Sequence, residues 1–267
     1  MTSRFLSFRF LGSTLAAAML LPGCVIELDG DLGAEIRDEL DGACWGSSSS
    51  SSERIVVGEA VTAVVVDGGV GDVRVRTHGE AGAIVSAELF GDGGQVRPRV
   101  ELDGSVLHVG VHCGRADCCA ADLDLTIPAA ASLEVELGVG DVSVQDLAGS
   151  AMVDLGTGDI ELHRLEGGLD LHTGTGSIDG EGLLGAEAWV DVGTGDAELQ
   201  WSSSATIESI DVEVGVGSVE LEVPEGGYDL RLDTGVGDID TDGIRGDAAG
   251  ATITVDVGTG DIDLVGR

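Results

Sequence analysis

A chain of 267 residues with a net charge of −36, whose 13 basic residues are all arginine, is repelled by nucleic-acid phosphates and anionic headgroups, and this excludes nucleic-acid binding. Its apolar share of 43% can bury a core and excludes wholesale disorder. With 3% aromatic residues and 44 glycines, however, it suits thin repeated β-layers of Val, Ile and Leu rather than a thick globular core. The surface favours cations or a basic partner.

Arg4 and Arg9 form a positive start, and Phe10 to Leu21 is an apolar stretch long enough for a secretory signal and too short to span a bilayer. Leu21-Pro22-Gly23-Cys24 resembles the bacterial lipobox, with Pro22 standing where Ala or Ser is more usual. The resemblance implies a signal peptide over 1–23 and a lipidated, palmitate-bearing Cys24 as the mature N-terminus, anchoring the chain to a membrane outside the cytoplasm. Val25, where some bacteria read Asp as an inner-membrane retention signal, favours the outer membrane. Residues 24–52 read as a tether, acidic and turn-rich, ending in the serine run Ser47 to Ser52, which buries no apolar area. Folded structure is expected from Glu53.

Residues 53–128 carry irregular strands at Ala60–Asp67, Asp72–Thr77, Ala83–Leu89 and Val106–His112, an N-terminal β region that caps the regular repeats. Residues 129–267 repeat a Gly-x-Gly followed by Asp or Ser and an apolar residue. The motif starts at Gly69, Gly138, Gly156, Gly174, Gly193, Gly215, Gly235 and Gly258, and from Gly138 onward its spacings are 18, 18, 19, 22, 20 and 23. Apolar residues alternate on either side of it, yet their parity switches across it: Leu137 gives way to Val142, Leu155 to Ile160, Val192 to Ala197, Val214 to Val219 and Val257 to Ile262. A straight strand cannot keep one face buried through such a switch, so the chain must turn at the glycines. The expected fold is therefore all-β, a single-stranded β-solenoid (β-helix) with coils of about 20 residues, preceded by the signal peptide and flexible tether.

Leu123-Asp-Leu-Thr-Ile-Pro128, Leu133-Glu-Val-Glu-Leu-Gly-Val-Gly-Asp-Val142 and Val219-Glu-Leu-Glu-Val-Pro224 followed by Tyr228-Asp-Leu-Arg-Leu232 make residues 54–267 similar to a bacterial β-strand-repeat family of candidate adhesins, a domain of otherwise unknown function. The resemblance implies a right-handed β-solenoid at the cell envelope and brings no catalytic residues.

Cys44, Cys113, Cys118 and Cys119 are an even set in an exported chain, which points to two disulfides. A local bridge from Cys113 to Cys118 or Cys119 is favoured, with the remaining cysteine holding Cys44. Other pairings, free thiols and a metal site with His108 and His112 are alternatives, although four residues along a strand separate those histidines by roughly 13 Å. His163 and His172 lack a neighbouring nucleophile and no Gly-x-Ser-x-Gly elbow is present, so no catalytic residue is assigned. Asp141, Asp159, Asp196, Asp238 and Asp261, with Asp72, Ser177 and Ser218, would line up as a column if coils stack in register. Each would accept a backbone hydrogen bond at its own corner, or the column would hold divalent cations, calcium being the only cofactor the pattern suggests. The sequence supports a non-catalytic envelope lipoprotein, adhesin-like or structural, with a protein or glycan surface partner. The alternatives are a polysaccharide-active β-helix enzyme and an accessory lipoprotein in envelope-stress signalling.

Overall fold

Short runs of alternating Val, Ile and Leu, interrupted by Gly-x-Gly, fold into brief strands that change direction at the glycines. The computed structural model describes residues 50–91, 96–112 and 119–267. Every regular element among the described residues is a β-strand.

The strands form two eleven-stranded sheets. The first, in spatial order, holds β1 (Ser50–Val57), β4 (Ala83–Gly91), β7 (Cys119–Pro128), β3 (Val73–His78), β9 (Val142–Gln145), β11 (Ile160–His163), β13 (Ile178–Leu183), β15 (Ala197–Trp201), β17 (Val219–Val223), β22 (Ile262–Gly266) and β19 (Ile239–Asp242). The second holds β5 (Arg97–Asp103), β6 (Val106–His112), β2 (Ala63–Val70), β8 (Ser132–Val139), β10 (Ala151–Thr157), β12 (Leu169–Thr175), β14 (Glu187–Thr194), β16 (Ser209–Val216), β21 (Ala251–Thr259), β18 (Gly226–Val236) and β20 (Ile244–Gly246). Pairing is parallel except where β1 meets β4, β4 meets β7 and β5 meets β6.

A strand of the second sheet, a Gly-x-Gly corner and the following strand of the first sheet make one rung. Rungs stack in register, so Leu137, Leu155, Thr173, Val192 and Val214 pair in line across the second sheet. Val142, Ile160, Ile178, Ala197 and Val219 do so across the first. All ten are buried, and the core is the narrow layer between the two sheets' inner faces. The parity switch thus has its cause: the inward set changes phase at each corner because the chain passes from one sheet to the other.

The second glycine of the corner needs a backbone that L side chains rarely adopt. Gly158 has φ +139°, and a Cβ there would collide with the Gly140 carbonyl oxygen of the neighbouring rung. The first glycine is constrained by the stack: a Cβ on Gly156 would lie 2.5 Å from the Gly138 carbonyl oxygen.

The first described strand, β1, holds three serines of the run in antiparallel pairing with Phe90, Leu89 and Glu88. Rung order departs from chain order at both ends. The β2–β3 rung, not β6–β7, abuts β8–β9, and the C-terminal β21–β22 rung is inserted between β16–β17 and β18–β19. Burial explains the second inversion. The inserted rung buries Ile253, Val255, Val257, Ile262 and Leu264 against Ile210, Val212, Val214, Val219 and Leu221, whereas the displaced rung offers Thr234 and Thr241 among its inward positions and leaves Ile239 exposed.

Candidate functional site

The corner aspartates form a continuous ladder. Asp141 N–H donates to Asp72 Oδ1 (3.1 Å), Asp159 N–H to Asp141 Oδ1 (3.0 Å), Ser177 N–H to Asp159 Oδ1 (2.7 Å) and Asp196 N–H to Ser177 Oγ (3.3 Å). The run continues with Ser218 N–H to Asp196 Oδ1 (2.7 Å), Asp261 N–H to Ser218 Oγ (3.3 Å) and Asp238 N–H to Asp261 Oδ1 (2.8 Å). A short side chain, with one methylene between the backbone and the carboxylate or hydroxyl, is what reaches the amide one strand away. The corner residues thus line up along the stack, and each acceptor serves the neighbouring rung's amide. Asp122 extends the ladder by accepting from Asp72 N–H at 2.9 Å. It follows Ala-Ala instead of Gly-x-Gly, so the motif did not reveal it. Among the described residues no group of three or more His, Cys, Asp or Glu side chains is arranged to hold a metal ion.

A second corner, where the first-sheet strand ends, uses left-handed residues that the sequence did not signal. Asp146 (φ 61°) and Arg164 (φ 56°) sit one rung apart, and Arg164 Nε and a terminal nitrogen donate to the Asp146 carboxylate at 2.6 and 3.0 Å. That guanidinium holds the Asp146 carboxyl below its ordinary value.

The outer face of the first sheet carries a row of acids: Glu161, Asp179, Glu198, Glu220, Asp263 and Asp240 pair in line across six strands. Glu220 beside Glu198 pushes the latter's carboxyl up, with Asp179 adding to it. Partial burial pushes Asp179 up, helped by Asp159 and Glu181. On the second sheet's outer face the matching row is Glu134, Met152, Asp170, Trp189 and Asp211.

The predicted histidines do not converge. His108 lies opposite Glu101 on the exposed face of β6, and His112 closes the same strand. His163 faces Glu181 on the first sheet at 3.6 Å, and His172 faces Asp191 on the second at 3.2 Å. Cys119 opens β7 opposite Gly91. Cys24, Cys44, Cys113 and Cys118 lie outside the described residues.

No protein-family model matches the sequence, and no curated protein matches it. Among solved structures the chain is similar to a candidate cell adhesion protein from Clostridium sporogenes, at 10% identity and a TM-score of 0.40 over 83% of this chain and 100% of that one. It is also similar to candidate adhesins from Bacteroides fragilis (15% identity, TM-score 0.46, 82% of this chain and 98% of that one) and Parabacteroides distasonis (14%, 0.38, 82% and 98%).

Proposed function

We propose that this chain is a non-catalytic cell-envelope lipoprotein, whose stack is a right-handed β-solenoid presenting acidic outer faces to a surface partner in the manner of an adhesin. The observation that carries the reading is the in-register stacking, which turns outward strand positions into rows of solvent-facing side chains along both sheets instead of gathering chemistry around one cleft. Residues 1–23 would direct export, and acyl chains on Cys24, each buried methylene contributing about 0.8 kcal/mol, would anchor the chain to the outer membrane while the following residues span the gap to β1. In that oxidising compartment the cysteines at 44, 113, 118 and 119 would form two disulfides.

Cys24→Ser should release the protein from membranes in detergent-free fractionation and abolish incorporation of radiolabelled palmitate. Retention in the membrane at unchanged mass would overturn the anchor. Reducing-sugar release from acidic polysaccharides by the purified protein would overturn the non-catalytic reading, and non-reduced peptide mapping that found four free thiols would overturn the disulfides.

A further inference from the structure

We propose that the outer face of the second sheet holds a binding site for an arginine side chain of a basic, extended partner segment, centred on Trp189. The proposal deepens the surface-interaction reading and rests on it. Two tryptophans lie among the described residues, and the stack treats them oppositely. Trp201 is buried, and its indole Nε1 donates to the Gly185 carbonyl at 3.0 Å, the usual settlement for a ring with one polar atom. Trp189 points outward from β14 and is 44% exposed, in a row whose other members are Glu134, Met152, Asp170 and Asp211. Met152, two strands away in the same row, is 46% exposed. Neither is needed by the core, which the alternate residues Ala151, Leu169, Ala188 and Val190 fill from the other side of the sheet.

Their neighbours determine what the ring would take. Asp170 on β12 and Asp211 on β16 pair directly with Trp189 on its two sides, each one strand spacing of about 4.8 Å away. A cation over the indole therefore meets a carboxylate on either flank. Towards the strand starts, Ser150, Gly168, Glu187 and Ser209 border an open, shallow hollow of ≈ 470 Å³ that adjoins the ring. A hollow beside an aromatic face and between carboxylates suits a guanidinium stacked on the ring with its aliphatic stem in the recess. Two residues further along the strands, Asp154, Asp191 and Glu213 form a second acidic row beside the first, with His172 between Asp154 and Asp191. Basic residues at every second position of an extended segment, about 6.6 Å apart, match the spacing of the two rows. Acids alone would accept any cation; the exposed ring selects a flat organic one, and the net charge of −36 disfavours anionic occupants.

The test uses the full-length protein at constant 150 mM ionic strength and a fluorescein-labelled eight-residue peptide alternating serine and arginine, followed by anisotropy. Wild type should bind, and the same peptide with citrulline in place of arginine should bind at least ten-fold more weakly. Trp189→Ala should weaken binding about two- to five-fold, as a surface cation–π contact is worth, and Trp189→Phe should restore part of it. Asp170→Asn with Asp211→Asn should weaken it further, whereas Glu220→Gln on the other sheet should leave it unchanged. Equal loss from Glu220→Gln and no loss from Trp189→Ala would show diffuse charge attraction and overturn the site. Binding of a neutral oligosaccharide such as cellohexaose through Trp189, without peptide binding, would also overturn it in favour of a glycan. Failure here with Cys24-dependent membrane retention intact would remove the site and leave the envelope lipoprotein reading standing.

Discussion

At each corner two glycines do different jobs. The first gives room for the carbonyl stacked below it, and the second takes a positive φ while its N–H donates to the neighbouring rung, as Gly158 N–H does to the Thr175 carbonyl at 2.9 Å. Gly158 combines the two demands, since a β-branched side chain there would be strained by the backbone and driven into Gly140. Gly158→Val should therefore destabilise by about 3 kcal/mol or more, the sum of an unfavourable φ and a steric clash in a stack that cannot part locally. Urea denaturation monitored by circular dichroism would measure it, and a loss below about 1 kcal/mol would mean that the corner relaxes freely. Arg164 is the counter-case. It holds φ 56° without being glycine, and its bidentate contact with Asp146 accompanies the strain. That pair is exposed, so it adds little stability.

At the level of strands, the inverted rung order has a measurable consequence. Because β21 and β22 lie between β16–β17 and β18–β19, the last residues of the sequence form an interior rung of the stack. Ending the chain at Gly250 would remove five buried aliphatic side chains and leave β18 and β19 without their in-register neighbours. At about 1.5–3 kcal/mol for each buried side chain the loss rivals the whole stability of a domain, so the truncated chain should lose cooperative thermal unfolding. A transition within a few degrees of wild type would show that β18–β19 can dock directly on β16–β17. The sequence revealed the inward residues because alternation and the phase change at Gly-x-Gly are local, and every residue in the five parity pairs is buried. It could not reveal rung order, since Val219-Glu-Leu-Glu-Val and Ile262-Asp-Leu-Val present the same pattern to a neighbour. Nor did it reveal β5, where Arg97-Pro98-Arg99 reads poorly as a strand and is tolerated because β5 is an edge that pairs with β6 alone. Trp189 was missed for a related reason: the alternation placed it outward, but only the register puts Asp170 and Asp211 on either side of it.

Across the whole molecule, stacking in register gathers like charges, and the response to pH has a definite sign. Glu198 and Asp179 have carboxyl pKa values raised in the folded state, by the Glu220 charge in the first case and by partial burial in the second. A group raised on folding binds more protons in the native state, so its contribution is present at low pH and lost as pH rises through the raised value. Asp146 and Glu101, held low by Arg164 and Arg99, act in the opposite sense, and their contribution disappears only as pH falls through their depressed values. The melting temperature should therefore rise as pH is lowered from neutrality towards the ordinary carboxylate range at low salt, and turn down once pH falls below that range. Glu198→Gln should flatten the upper part of that curve, and 0.3 M sodium chloride should flatten it further by screening these exposed groups. Calcium separates crowding from a specific cation site. One Oδ of Asp72, Asp141, Asp159, Asp196 and Asp261 already accepts a backbone amide, so millimolar calcium at fixed ionic strength should raise the melting temperature no more than the matching sodium chloride does. A rise specific to calcium, abolished by Asp159→Asn, would instead make the ladder a cation-binding column, and a melting temperature that fell steadily from neutrality to the carboxylate range would mean that the crowded acids are not what limits the stack.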